Sequence, residues 1–165
     1  HGQASTIWIE NLALEELNME ESGIINFNAH IDPIIFLEES SIKFMDQIRD
    51  RFELFTAKFN QYRGGKIQGA QIKIFKIANT VNDFMLFRNS LKLVVARRSN
   101  DIVTVNFLSN TVGTFAARIS TSEESINTSH EIRAHVGPFN NITWRFAGEV
   151  VDVDSMVKHY LTEFF

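Results

Sequence analysis

The amino-acid sequence predicts an α+β fold: one long amphipathic helix packed on a curved antiparallel sheet (a meander), with a short helix at the C-terminal end. Three patterns point there. Ile42, Met45, Ile48, Phe52, Phe55, Phe59 and Tyr62 recur every three or four residues, which places them on one stripe of a helix. From residues 70 to 119 and again from 131 to 146, stretches rich in Ile, Val, Phe and Thr are broken by short polar turns, as consecutive strands are. Val153, Met156, Val157, Tyr160, Leu161 and Phe164 then return to helical spacing. Strands grouped together and flanked by helices indicate α+β rather than α/β. The 165 residues suit a single domain, 1–165, with residues 1–23 as an acidic N-terminal arm.

The elements follow in order. Ile7-Trp8-Ile9 reads as a short strand, and Leu12, Leu14 and Leu17 among glutamates read as a helical turn or two, ended by Gly23. Ile25, Phe27, Ala29 and Ile31 alternate with polar residues and predict a strand that stops at Asp32-Pro33. Ser40 and Ser41 are the N-cap candidates of the long helix, and Gly64-Gly65 ends it. Strands are expected over 70–78, about 84–96, 101–108 and 112–119, with turns at Asn89-Ser90 and Arg98-Ser99-Asn100-Asp101. Thr80-Val81-Asn82-Asp83 resembles a capping box, but Phe84–Phe87 is read as strand. Residues 120–129 are polar and small, and are read as a loop. Ile132, Ala134 and Val136 form one arm of a hairpin that turns at Gly137-Pro138-Phe139-Asn140-Asn141, and Ile142, Trp144 and Phe146 form the other. Ala147-Gly148-Glu149 is a further turn, and Asp152 or Asp154 caps the final helix.

Composition removes several classes of chemistry. No cysteine is present, so thiol catalysis, cysteine zinc sites and disulfides are excluded. Absence of cysteine also fits a reducing, cytoplasmic compartment. No apolar run approaches the length of a membrane span. The opening His1-Gly2-Gln3-Ala4-Ser5 has neither Met nor signal-peptide order, and is read as a tag remnant or the edge of a longer chain. Gly-rich phosphate loops and serine-nucleophile motifs are missing. His30 and Asp32 share a strand face but lack further ligands. Asp152 and Asp154 are more simply helix-terminal carboxylates than cation ligands. His130, His135 and His159 could serve acid–base chemistry only if the fold gathered them, and His130 and His135, five apart, face opposite sides of a strand. The sequence therefore supplies no catalytic residue, no metal site and no cofactor site.

Charge carries the strongest functional signal. Residues 1–57 hold 11 acidic and 3 basic side chains, whereas residues 58–145 hold 5 acidic and 12 basic. Lys73, Lys76, Arg88, Lys92, Arg97, Arg98, Arg133 and Arg145 fall on or beside expected strands. If their faces coincide, the sheet presents a positive surface interleaved with phenylalanine, suited to nucleic acid or another polyanion. The net charge of −4 argues against a dedicated nucleic-acid binder. A non-enzymatic protein-binding or assembly module is the leading expectation. Homodimerisation through exposed sheet edges is one form of it, and a small-molecule pocket between helix and sheet is a further alternative.

Overall fold

The computed structural model describes residues 6–24, 33–64, 71–109 and 128–163. The chain divides into two units, residues 1–32 and 33–165. The first is a single helix over its described part, α1 (Ile7–Ser22), closed by Gly23 at φ +71, whose N–H donates to the Met19 carbonyl at 2.7 Å. Ile7-Trp8-Ile9 is therefore helix, not strand. A cap of this kind needs left-handed backbone, which glycine adopts without a Cβ clash. The strand expected over 25–31 and the His30–Asp32 pair lie outside the described residues, as do the strand expected over 112–119 and most of the polar loop before residue 128.

The second unit holds α2 (Pro33–Phe59), a π-helical turn (Asn60–Gly64), seven strands and α3 (Val153–Glu163). The strands are β1 (Lys73–Lys76), β2 (Phe84–Arg88), β3 (Leu91–Ser99), β4 (Ile102–Ser109), β5 (Thr128–Val136), β6 (Ile142–Phe146) and β7 (Glu149–Val150). They form one antiparallel sheet in sequence order. The fold is α+β, as the patterns imply. Tight turns make the meander: Asn89 takes φ +55 between β2 and β3, and Ala147 (φ +52) with Gly148 (φ +86) joins β6 to β7. Positive φ at both central residues gives a turn whose twist matches the strands it connects.

The long helix begins earlier than its expected caps. Pro33 is its first residue, a place where a missing N–H breaks no hydrogen bond. Ser40 and Ser41 thus lie inside the helix and do different work. Ser41 is buried; its hydroxyl donates to the Glu38 carbonyl at 2.7 Å and accepts from Arg97 Nη1 at 3.2 Å. Ser40 Oγ accepts the Trp144 indole N–H at 3.0 Å. The buried line of α2 runs Ser41, Phe44, Met45, Ile48, Phe52 and Thr56. Phe55 and Phe59 are partly buried, and Tyr62, expected in the stripe, is exposed.

Register fixes what each sheet face presents, because residues paired across antiparallel strands share a face. Leu86, Leu93 and Phe107 form one row, and Phe84, Val95, Val105 and His130 form the next. Both rows face the helices. Phe52 meets Phe84 edge-on at 5.9 Å, and Phe44 stacks on Trp144 at 4.8 Å. At the end of α2, the Asn60 amide brackets Ile72: Nδ2 donates to its carbonyl at 2.8 Å and Oδ1 accepts its N–H at 2.9 Å. That bracket sets the entry of the chain into β1. At the other end of the sheet, Asp152 Oδ2 accepts the Ser155 N–H at 3.3 Å and caps α3.

Phe52 is wholly buried, whereas Leu54 on the same helix is more than half exposed. Phe52→Ala is expected to lower unfolding free energy by about 3–5 kcal/mol, and Leu54→Ala by about 0.5 kcal/mol or less. Urea denaturation followed by tryptophan fluorescence checks both. Equal losses would mean that α2 does not present this line to the sheet.

Candidate functional site

Within the second unit, α2 and α3 take one face of the sheet, and among its described residues no helix lies on the other. Odd and even positions sort the basic residues accordingly. Lys73 pairs with Phe87, Phe87 with Lys92, and Lys92 with Leu108, all on the face opposite the core. Beside this row lie Phe75, Met85, Val94 and Asn106. Ile102 pairs with Arg133, and Arg133 with Arg145, on that same face. Lys92 Nζ stands 6.0 Å from the centre of the Phe87 ring, within reach of a cation–π attraction.

A bulge separates the two neighbouring arginines. Arg97 pairs with Val103 and Ser99 with Ile102, so Arg98 is an extra residue on β3. Extra residues of this kind re-aim side chains. Arg97 turns to the helix side, where Nη1 bonds Ser41 Oγ and, at 2.9 Å, Asn100 Oδ1. Arg98 turns outward, its Nε donating to Thr104 Oγ1 at 3.1 Å, and Thr104 pairs with Ala96 on the outer face.

Of the eight cations the sequence nominates, five share the outer face: Lys73 and Lys92 towards one end of the strands, and Arg98, Arg133 and Arg145 towards the other. Three do not. Arg97 is tied to α2. Arg88 lies over the Phe59 ring of α2 at 5.0 Å. Lys76 pairs with Phe84 and thus shares its face. A single surface made of all eight is excluded by strand alternation and by the bulge. Among the described residues, one ion pair engages these five outer cations. Arg133 bonds Glu131 Oε2 at 2.8 Å, and Arg145 Nε donates to Thr143 Oγ1 at 3.2 Å. Arg133 and Arg145 also oppose each other across strands, an arrangement of like charges that destabilises a sheet.

The sheet edges are less inviting. β1 has four residues with Lys at both ends, and β7 has two. Short, charged edges discourage strand addition.

A second cluster forms where α3 crosses β5 and β6. Tyr160 Oη and His130 Nδ1 lie 2.6 Å apart. His159 packs edge-on against Tyr160 at 5.3 Å, and His130 against Phe146 at 5.1 Å. The fold thus gathers His130 and His159, while His135, paired with Thr143, lies on the opposite face. Sequence reasoning missed the organising residue, Tyr160, because it sits within the apolar periodicity of α3. Burial pushes its hydroxyl up to about 12. Asp154 is an ion-pair partner of Arg51 at 3.0 Å. Among the described residues no group of three His, Asp or Glu side chains is placed to hold a metal, and no helix is long and apolar enough to cross a membrane.

No protein-family model, curated protein or solved structure matches this chain, so the geometry alone carries the functional reading.

Tyr160 gives a pH signature. Its folded-state value lies above the ordinary 10.0, so the folded chain keeps a proton that the unfolded chain sheds. The resulting stabilisation is complete below about pH 10 and is lost as pH rises towards about 12. Denaturation midpoints are expected to fall across that window, and to fall less steeply in Tyr160→Phe. An identical slope in the variant would show that Tyr160 is not held in this buried setting.

Proposed function

We propose that the second unit is a non-enzymatic protein-binding module, and that the outer face of its sheet receives an acidic, amphipathic segment of a partner protein. The observation that carries this reading is that five cations, in two groups at opposite ends of the strands, share with exposed or half-buried apolar side chains the face opposite α2 and α3. Phe75 is nearly half exposed, and Phe87, Met85 and Leu108 are half-buried. Exposed or half-buried aromatic and Met side chains on one face with arginine are residue types enriched at interfaces. The Arg133–Arg145 opposition supports an anionic occupant, because a carboxylate set between them turns a repulsive pair into an attractive one. Acidity in the chain as a whole does not oppose this. Residues 1–32 contain six acidic side chains and no Lys or Arg, while residues 33–165 contain 14 acidic and 16 basic.

Single-stranded nucleic acid is the second reading, favoured by the alternation of Lys73, Phe87 and Lys92 along one row, since rings stack on bases while cations meet phosphates.

A direct comparison tests both. A synthetic helical peptide rich in glutamate, leucine and tryptophan is titrated against the full chain, alongside an oligothymidylate of equal charge. The peptide is expected to bind, and Lys92→Glu with Arg98→Glu is expected to weaken it about tenfold or more. Lys43→Glu, on the exposed side of α2, is expected to leave it unchanged. Tighter binding of the oligonucleotide, with steep loss on adding salt, would overturn the protein reading in favour of nucleic acid. Equal loss in both variants would show that only net charge matters.

A further inference from the structure

We infer that the cleft between α3 and strands β5 to β7 is a binding site for a compact, uncharged aromatic molecule that carries a hydrogen-bond acceptor. It lies on the helix-covered side of the sheet, away from the surface proposed for a protein partner.

The cleft measures about 350 Å³, within the range that holds small ligands. Phe146, Val151, Met156 and Ile132 supply apolar wall, and His130 and Tyr160 supply the polar pair. Clefts of larger volume exist elsewhere, about 520 Å³ beside Lys158 and about 720 Å³ beside Arg51. Asp154 lines both and is engaged by Arg51. They lack a buried polar pair backed by rings.

The pair has a hydrogen to give. Neutral imidazole carries one N–H and the phenol one O–H. Only one of these two hydrogens can lie in the 2.6 Å bond between Nδ1 and Oη. If the phenol donates, the imidazole N–H sits on Nε2. If Nδ1 donates, the phenol hydrogen is left over. Either way one donor remains, and among the described residues no further hydrogen bond takes it up. In the first case the donor belongs to half-buried His130; in the second it is the hydroxyl of Tyr160, only 7% exposed, where an unmet donor is costly. A carbonyl or ring-nitrogen acceptor on a ligand answers that need.

Rings and charge narrow the class. His130, Phe146, Tyr160 and His159 meet at tilted or edge-on angles, so a flat ring can enter with favourable aromatic contacts. Glu149 and Asp152 line the cleft, and no Lys or Arg does. Two carboxylates without a cation disfavour an anionic ligand.

Chemical-shift mapping on the full chain tests the inference with benzamide and benzoate, which share a shape and differ in charge. Benzamide is expected to move the resonances of His130, Phe146, Ser155 and Met156, and to bind about tenfold or more tightly than benzoate. Met156→Trp, which fills the cleft, is expected to abolish those shifts while the spectrum stays folded. Benzamide shifts that bypass the cleft, no shifts at all, or benzoate binding as tightly as benzamide would each overturn the inference. The wild-type mapping decides even if Met156→Trp does not fold.

Discussion

Among the described residues of the second unit, one long helix and one short one lie on a single face of the seven-stranded sheet. That constraint orders the rest of the second unit. The buried line of α2 from Ser41 to Thr56 and the apolar residues of α3 compete for the same side of the meander. Strand alternation then assigns every second residue of β2 to β6 to the core and delivers the intervening ones to the opposite face. Core and candidate interface are therefore one pattern read at two phases. A one-residue slip in register would exchange them.

Two local devices refine this division. The β3 bulge breaks the alternation at the one place where two arginines are adjacent. Without it, the pair would still point to opposite faces, but Arg98 would not sit over Thr104 with Ser99 and Ile102 aligned beyond. Arg97 is consumed by structure, holding α2 through Ser41. The second device is the Tyr160–His130 contact, which ties α3 to β5 by a polar bond inside an otherwise apolar junction. A purely apolar residue at position 160 would pack there too. The hydroxyl instead sets a directional contact and gives the cleft its chemistry.

Much of the architecture was legible in the sequence. Period-two alternation in Ile132–Val136 and Ile142–Phe146 named the hairpin, and helical spacing named α2 and α3. Turns at Asn89-Ser90 and Ala147-Gly148 were readable from Asn89, Ser90 and Gly148, which suit left-handed or polar turn positions, whereas Ala147 at φ +52 carries no such mark. Errors arose where polar residues serve the core. Ser40 and Ser41 look like caps, yet they bond Trp144 and Arg97 across large sequence separations. Ile7-Trp8-Ile9 resembles a strand locally, yet α1 continues through it. For the candidate interface, sequence gave the residue types but not their faces. A bulge is invisible in a periodicity, so the seat of Arg98 over Thr104 was not legible. Tyr160 was hidden for the opposite reason: it obeys the helical pattern so well that nothing marks its hydroxyl.

The absence of native cysteine allows a clean test of the central claim, that one sheet face is buried by the helices and the other is open to a partner. Single cysteines at Asn106 and Val105, neighbours on β4 that point to opposite faces, would be labelled with a maleimide under native conditions. Asn106→Cys is expected to react readily and Val105→Cys only on unfolding. Equal protection at both positions would show that the outer face is already covered and would contradict the account.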